Sequence, residues 1–423
     1  VQTDQGTSRC PQCDHEIPVD PQYVTWCDEC DWNVDPTGST HQVASRRRRR
    51  EHKLADTLYR ELEHGEIRRP GWTAARVGTY LLSTLILVVL PLAGLVGGIY
   101  ALVSYRPLWI GILLSVIPFG VTFLLRPRAH RLGSDTHVVN REQAPRLFGL
   151  LDEIATKIGT RSVGLVELSP YPQIGFIKVG WRFTPVIRIG LPLWAGLGPQ
   201  ERVAALAHEL GHGKNGDGLH RWVVNSAVDA LQEIQMTSRN DESDEYRLEL
   251  QTYYFHGYSN NAINSFLDAT IGSLARGVQW LLTTADLRAG QREEYLADRR
   301  SAEIAGSEAA AGALERYTLG STSYRAMEQA LRFNSDADPL EAAARAVGEI
   351  PAREVERRLR VSRLRETRRD STHPPTNLRA KLIRTRPARD PLVELEIEES
   401  QVIDKELAEP ARAVLKELRS ALR

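Results

Sequence analysis

The sequence predicts a mainly α chain with a small β-sheet, an α+β class, interrupted by an apolar helical hairpin and preceded by a short cysteine-bearing module. Three observations carry this. Two uncharged stretches, Val77 to Val103 and Leu108 to Leu125, run for 27 and 18 residues and are read as helices. Elsewhere apolar residues recur at helical spacing, with three short β-prone runs between residues 163 and 189. All four cysteines fall within residues 10–30.

Bulk composition sets the outer bounds. In 423 residues, 54 Lys and Arg balance 54 Asp and Glu, which excludes a globally basic nucleic-acid binder and a strongly charged disordered chain. Hydrophobic residues at 42% can build a core, and the length suits two or three structural units. The mean hydropathy of -0.33 would pass for a soluble protein, but an average over this length hides the two apolar stretches.

Residues 1–42 are poor in large aliphatics and need another source of stability. Cys10-Pro-Gln-Cys13 and Cys27-Asp-Glu-Cys30 are two CxxC pairs with thirteen residues between them. Each pair sets two thiolates on one tight turn, and two such turns form the tetrahedral four-sulfur shell that a structural zinc prefers. Two disulfides are the rival reading, disfavoured for a module facing the reducing cytoplasm. The pattern resembles a zinc ribbon. A closed four-thiolate shell leaves no position for chemistry, so the module's role is folding, with partner recruitment left open.

Residues 43–76 form a basic juxtamembrane linker. Arg46 to Arg50 are five consecutive arginines, and Leu54, Leu58 and Leu62 stripe one helical face. Residues 77–126 form a hairpin of two membrane spans, each long enough to cross a hydrocarbon layer of about 30 Å. The link Ser104-Tyr105-Arg106-Pro107 forces the spans antiparallel. Basic residues crowd the outer ends of both spans and the turn has one Arg, so the positive-inside rule places the amino-terminal module and everything after residue 130 in the cytoplasm, in a two-span protein of the cell membrane. The arginine run is expected to meet anionic lipid rather than nucleic acid.

Residues 130–423 hold the chemistry. Pro145 to Ile158 carries apolar residues at helical period, and Val163 to Leu168, Ile174 to Val179 and Val186 to Ile189 read as strands, the last two joined as a hairpin. A helix opens at Gly198-Pro199-Gln200-Glu201 and contains His208-Glu209-Leu210-Gly211-His212. Residues four apart share a face, so both imidazoles can reach one zinc ion with Glu209 beside them, able to take a proton from water. The third ligand lies elsewhere. Asn215 and Gly218 stand where a metzincin would carry Gly and His. Glu233 lacks a supporting pattern, whereas Glu294 in Glu294-Tyr295-Leu296-Ala297-Asp298 fits best, with Asp298 one turn on to accept the outer N–H of a ligating His.

These two motifs, with Thr372-His373-Pro374-Pro375-Thr376-Asn377-Leu378-Arg379, resemble the membrane zinc metalloendopeptidases that include the HtpX and type 1 CAAX prenyl proteases. The resemblance covers roughly residues 140–385 and implies a zincin-like metalloprotease fold. It assigns His208, His212 and Glu294 to the catalytic zinc, Glu209 to the general base, and His373 and Arg379 to positions near the substrate, where a cationic donor would stabilise an oxyanion. By position, Gly175, Phe176, Ile177 and Lys178 correspond to an edge strand that aligns extended peptide. The 218–290 insert departs from the family layout. Its acidic run Asp241-Glu242-Ser243-Asp244-Glu245 and the charges Asp268 and Arg276 read as soluble helices with a mobile acidic loop.

The expected protein is thus a membrane-anchored zinc endopeptidase with one catalytic and one structural zinc. It acts on protein or peptide substrates in the quality control of membrane or misfolded proteins. Two alternatives stay open: an inactive or gated scaffold recruiting partners through its ribbon, and a protease specific for prenylated peptides. Direct nucleic-acid binding is not expected, and the sequence leaves the oligomeric state open. Val402 to Leu422 reads as a packing helix.

Overall fold

In a computed structural model, the described residues are 6–36, 46–69, 71–126, 132–133, 136–180, 182–214, 218–238, 272–285, 287–333, 337–365 and 373–422. The acidic run 241–245, Asp268, Arg128, Arg131, Trp181 and Thr372 lie outside them, and of Arg46 to Arg50 only the helical backbone is described.

The chain opens with the hairpin β1 (Gly6–Arg9) and β2 (Glu16–Val19). Then come α1 (Arg46–His64), α2 (Ala74–Ser104), with a wider π-type turn over Leu85–Val89, and α3 (Leu108–Leu125). The strand β3 (His137–Val139), α4 (Pro145–Ile158), β4 (Leu165–Ser169), β5 (Ile174–Val179) and β6 (Thr184–Gly190) follow. Helices α5 (Leu191–Gly196), α6 (Pro199–Lys214), α7 (Gly218–Ser238), α8 (Ser273–Ala285) and α9 (Leu287–Ala305) come next. The remainder is helical: α10 (Ser307–Tyr317), α11 (Gly320–Phe333), α12 (Pro339–Gly348), α13 (Ala352–Arg365), α14 (Thr376–Thr385) and α15 (Ile397–Ala421). This is the α+β class read from the sequence.

Two compact units divide these elements. One holds Val1–Arg69, Asp135–Lys214 and Gln291–Arg423, the other Pro70–Ser134 and Asn215–Gly290. In the second, α2 and α3 are both long and apolar enough to cross a membrane. Gly94 and Gly111 let their backbones touch: a Cβ would sit 2.6 Å from the Pro118 carbonyl oxygen and 2.7 Å from that of Ala101. Much of their remaining surface is apolar and open, with Ile117 at 77% and Val103 at 69% exposure, a surface that lipid covers without cost and water does not. The inner side packs Ile86, Leu87 and Leu125 against Val223, Ala227 and Leu231 of α7 and Ala275 and Leu282 of α8. The flanks of the insert therefore pack on the hairpin helices within one unit.

In the first unit, the four-stranded sheet runs β3-β4-β6-β5, with β4 and β6 parallel and the other pairs antiparallel. Two features escaped the sequence reading: β3, and the insertion of β6 between β4 and β5. The core packs Leu147, Leu151 and Ile154 of α4 and Ile187 and Ile189 of β6 with Val203, Leu206 and Leu210 of α6. The β5–β6 hairpin turns through Gly180 and Phe183, both at positive φ (67° and 51°). Since the Gly190 N–H reaches back to the Gln173 carbonyl at 2.7 Å, antiparallel alternation points the peptide groups of Phe176 away from β6, toward the sheet edge. The carboxy-terminal helix does pack: buried Arg202 of α6 donates to Asp404 of α15 at 2.9 and 3.0 Å and to Ser400 at 2.7 Å.

Candidate active site

Helix α6 supplies the first residues. Glu201 accepts from the Gly198 N–H at 2.8 Å, closing the first turn, and Gln200 donates to the carbonyls of Ala305 and Val393 at 3.0 and 2.7 Å. The stripe Val203, Leu206, Ala207 and Leu210 is buried, so the rotation of α6 is set by its core face. That rotation brings the Nε2 atoms of His208 and His212 to 3.2 Å from each other.

Helix α9 crosses α6 closely. Ser301 donates to the Ala204 carbonyl at 2.7 Å, and Arg300 to the Gly211 carbonyl. The helices meet at Gly211, where a Cβ would just touch Cα of Ala297 at 3.4 Å. Glu294 consequently arrives with Oε2 3.5 Å from His208 Nε2 and Oε1 3.4 Å from His212 Nε2. Asp298, one turn later, places Oδ1 3.0 Å from His208 Nδ1. Accepting that N–H leaves the Nε2 lone pair directed at the shared centre.

Helix α14 completes the cluster. Arg379 donates to both oxygens of Asp298, at 2.8 and 2.6 Å, and its Nη2 lies 3.5 Å from Glu294. His373, just before α14, sets Nδ1 3.0 Å from Glu294 Oε2 with 56% of its side chain exposed. The electrostatics follow. Burial alone would lower His208, but Asp298 and Glu294 outweigh it and raise its pKa to about 10. Burial lifts Glu209 to about 7, despite the cations around it. Burial would raise Glu294 too, yet the charges of His212 and His373 hold it well below the usual carboxylate range.

The donor sets can be tested against zinc. Tetrahedral bonds of about 2.0–2.1 Å put nitrogen and oxygen donors about 3.4 Å apart, and here the three separations are 3.2, 3.5 and 3.4 Å. Bonds of about 2.3 Å put four thiolates roughly 3.8 Å apart. Cys10 and Cys30 stand at 3.6 Å and Cys13 and Cys27 at 3.5 Å, with all four sulfurs within 4.8 Å of one another. Both sets fit the ion in donor chemistry and in spacing.

Residues 189–387, from the end of β6 through α14, match the model of Peptidase family M48. Over that stretch the chain is similar to peptidase family M48. Among relatives, Protease HtpX of Acinetobacter baylyi is 26% identical over 257 residues, covering 57% of this chain and 82% of the relative. Protease HtpX of Escherichia coli O1:K1 / APEC is 26% identical over 270 residues, covering 60% and 86%. A Protease HtpX homolog of Methanothermobacter thermautotrophicus is 28% identical over 192 residues, covering 43% and 69%. No solved structure matches the chain.

Within the matched stretch, His208, Glu209, His212, Glu294, Asp298, His373 and Arg379 come together from three helices and one helix entry. Gly175 to Lys178 lie on β5 at the sheet edge, apart from the M48 match. Phe176 reaches the last turn of α6, where a Cβ on Gly213 would meet its ring at 3.4 Å. One neighbour went unread in the sequence. Tyr317, at the end of α10, has its phenol pushed well above its ordinary value by burial and by the nearby charges of Glu209, Glu294 and Asp298. No motif marks that tyrosine, since only the packing of α10 brings it there.

Proposed function

We propose that the chain is a membrane-anchored zinc endopeptidase hydrolysing peptide bonds at the cytoplasmic face, in the turnover of membrane or misfolded proteins. The observation that carries this is the meeting of two imidazoles and one carboxylate at zinc-donor spacing, with Glu209 buried beside them. His208, His212 and Glu294 would hold the ion. When bound, zinc supplies Lewis acidity toward the scissile carbonyl and toward water.

The chain's own groups do the rest. Glu209, buried beside the donors, takes a proton from the attacking water and returns it to the leaving amine nitrogen. Asp298 fixes the His208 tautomer, and Arg379 holds Asp298 in place. His373, the exposed member, is placed to meet negative charge developing on the substrate oxygen, and its bond to Glu294 orients it. β5 supplies an edge to which an extended peptide can add as a strand.

Membrane anchoring rests on the length, composition and apolar exposure of α2 and α3. The arginine-rich approach to α2 supports a cytoplasmic face. The test is Glu209→Gln in purified full-length protein, with zinc counted per chain. Hydrolysis of an unfolded protein should fall on the order of 10²- to 10⁴-fold while bound zinc is unchanged. Equal cleavage by both proteins overturns the mechanism.

A further inference from the structure

The four-cysteine module lies on one face of α13. Arg353 donates to the Trp26 carbonyl at 2.7 Å and to Asp28 at 3.1 Å. Arg357 donates to the Val34 carbonyl at 2.7 Å. Arg360 reaches the Asp28 carbonyl and, at 2.8 Å, Asp31, while Arg365 pairs with Asp35. The guanidinium carbons of Arg353 and Arg360 also lie 4.7 and 4.9 Å from the centre of the Trp26 ring, which is 1% exposed. Trp26 and Asp28 flank Cys27, so the arginines grip the chain on both sides of one metal-ligand position.

This grip is built in advance. Buried Glu354 accepts from Arg357 at 2.7 and 2.8 Å and from Arg358 at 2.7 Å. Arg358 in turn donates to Thr322 of α11 at 2.6 Å. One carboxylate thus aims one arginine at the cysteine module and ties its neighbour to the body of the unit.

A second contact of α13 reaches the histidine–carboxylate centre. Pro375 precedes α14 and caps it with no side-chain hydrogen bond. The cap comes from α13, where Ser362 Oγ accepts the Asn377 N–H at 3.2 Å and donates to its own Leu359 carbonyl. Helix α14 carries Arg379, and Arg379 holds Asp298 against His208.

We propose that the four-cysteine module is a positioning element for the histidine–carboxylate centre. Its metal-supported fold acts through the Trp26–arginine grip on α13 and the Ser362 cap on α14 to set where Arg379 meets Asp298. This deepens the zinc-site reading above, since it takes His208 as a ligand. It asks nothing of peptide hydrolysis. The coupling travels through contiguous packed and hydrogen-bonded groups, and its yield is correct placement of a group that orients a ligand, whose loss typically weakens metal binding about 10- to 100-fold.

The experiment compares full-length Trp26→Ala, Trp26→Phe and Ser362→Ala with the parent. It uses hydrogen exchange by residue segment and zinc retention at the His208 centre against a graded chelator. Trp26→Ala and Ser362→Ala should each speed exchange in residues 376–385 and weaken zinc retention about 10-fold, with exchange in 145–158 and 184–190 unchanged. Trp26→Phe, which keeps an aromatic face for the arginines, should restore most of both. The proposal is overturned if Ser362→Ala alters neither quantity, whatever Trp26→Ala does to the fold. It is equally overturned if Trp26→Phe behaves as Trp26→Ala. A parent chain that cuts no peptide would sink the enzymatic reading and leave these readouts intact.

Discussion

Arg379 grips both oxygens of Asp298, 81 residues away in sequence, and the same carboxylate accepts from His208. An arginine, an aspartate and a histidine from three helices thus form one line ending at the shared centre. Burial makes the line costly to break, because a buried ion losing its partner is left uncompensated.

Asp298→Asn tests that line most directly. The amide keeps the shape but carries no charge for Arg379 and accepts more weakly from His208. Zinc affinity at the His208 centre should fall about 10- to 100-fold, read by chelator competition, with the four-cysteine site unaffected. Unchanged affinity would remove Asp298 from the account.

Acid–base behaviour supplies an independent check. In the zinc-free chain His208 titrates near 10 instead of 6.5, so at pH 8 it is an imidazolium that zinc must deprotonate. Loading at pH 8 should release a proton from His208, seen by calorimetry in two buffers of different ionisation enthalpy. Apparent affinity should climb with pH toward 10. The sign for stability is opposite: the raised pKa stabilises the zinc-free fold fully below pH 6.5, and that contribution disappears as pH rises through 10. Zinc-free melting temperature should therefore decline across this window.

Two glycines should behave oppositely. At Gly190 a Cβ would stand 2.6 Å from the Gln173 nitrogen and nearer still to the Tyr171 carbonyl oxygen, backbone atoms that cannot step aside. Gly190→Ala should destabilise by about 1–3 kcal/mol or more. Gly149 lies on the exposed face of α4 with nothing within 4 Å, so Gly149→Ala should stabilise by about 0.5–1 kcal/mol. Thermal melts of both variants decide the matter, and a neutral Gly190→Ala would contradict the packing of β5 on β6.

Strand addition at β5 predicts a period of two in the substrate. N-methylating successive amides of a cleaved peptide should slow hydrolysis at alternate positions, by roughly 2- to 10-fold for each backbone hydrogen bond lost. A uniform or patternless response counts against β5 as the docking edge.

Sidedness can be read from the cysteines themselves, since all four lie within residues 10–30. After zinc is stripped, a membrane-impermeant thiol reagent should label inside-out vesicles and spare intact cells. Labelling of intact cells would reverse the proposed orientation.

What the sequence determined by itself was local. The spans, the paired cysteines, the helical register of His208 and His212, and that of Glu294 and Asp298 are consequences of helix period, thiol spacing and apolar length, all carried by neighbours along the chain. Tertiary structure decided everything that joins distant segments: β6 between β4 and β5, Tyr317 beside Glu209, Arg379 on Asp298, and Ser362 as the cap of α14. These depend on which buried faces find each other when α6, α9, α13 and α14 pack around one core. Periodicity names a face, and only packing names its partner.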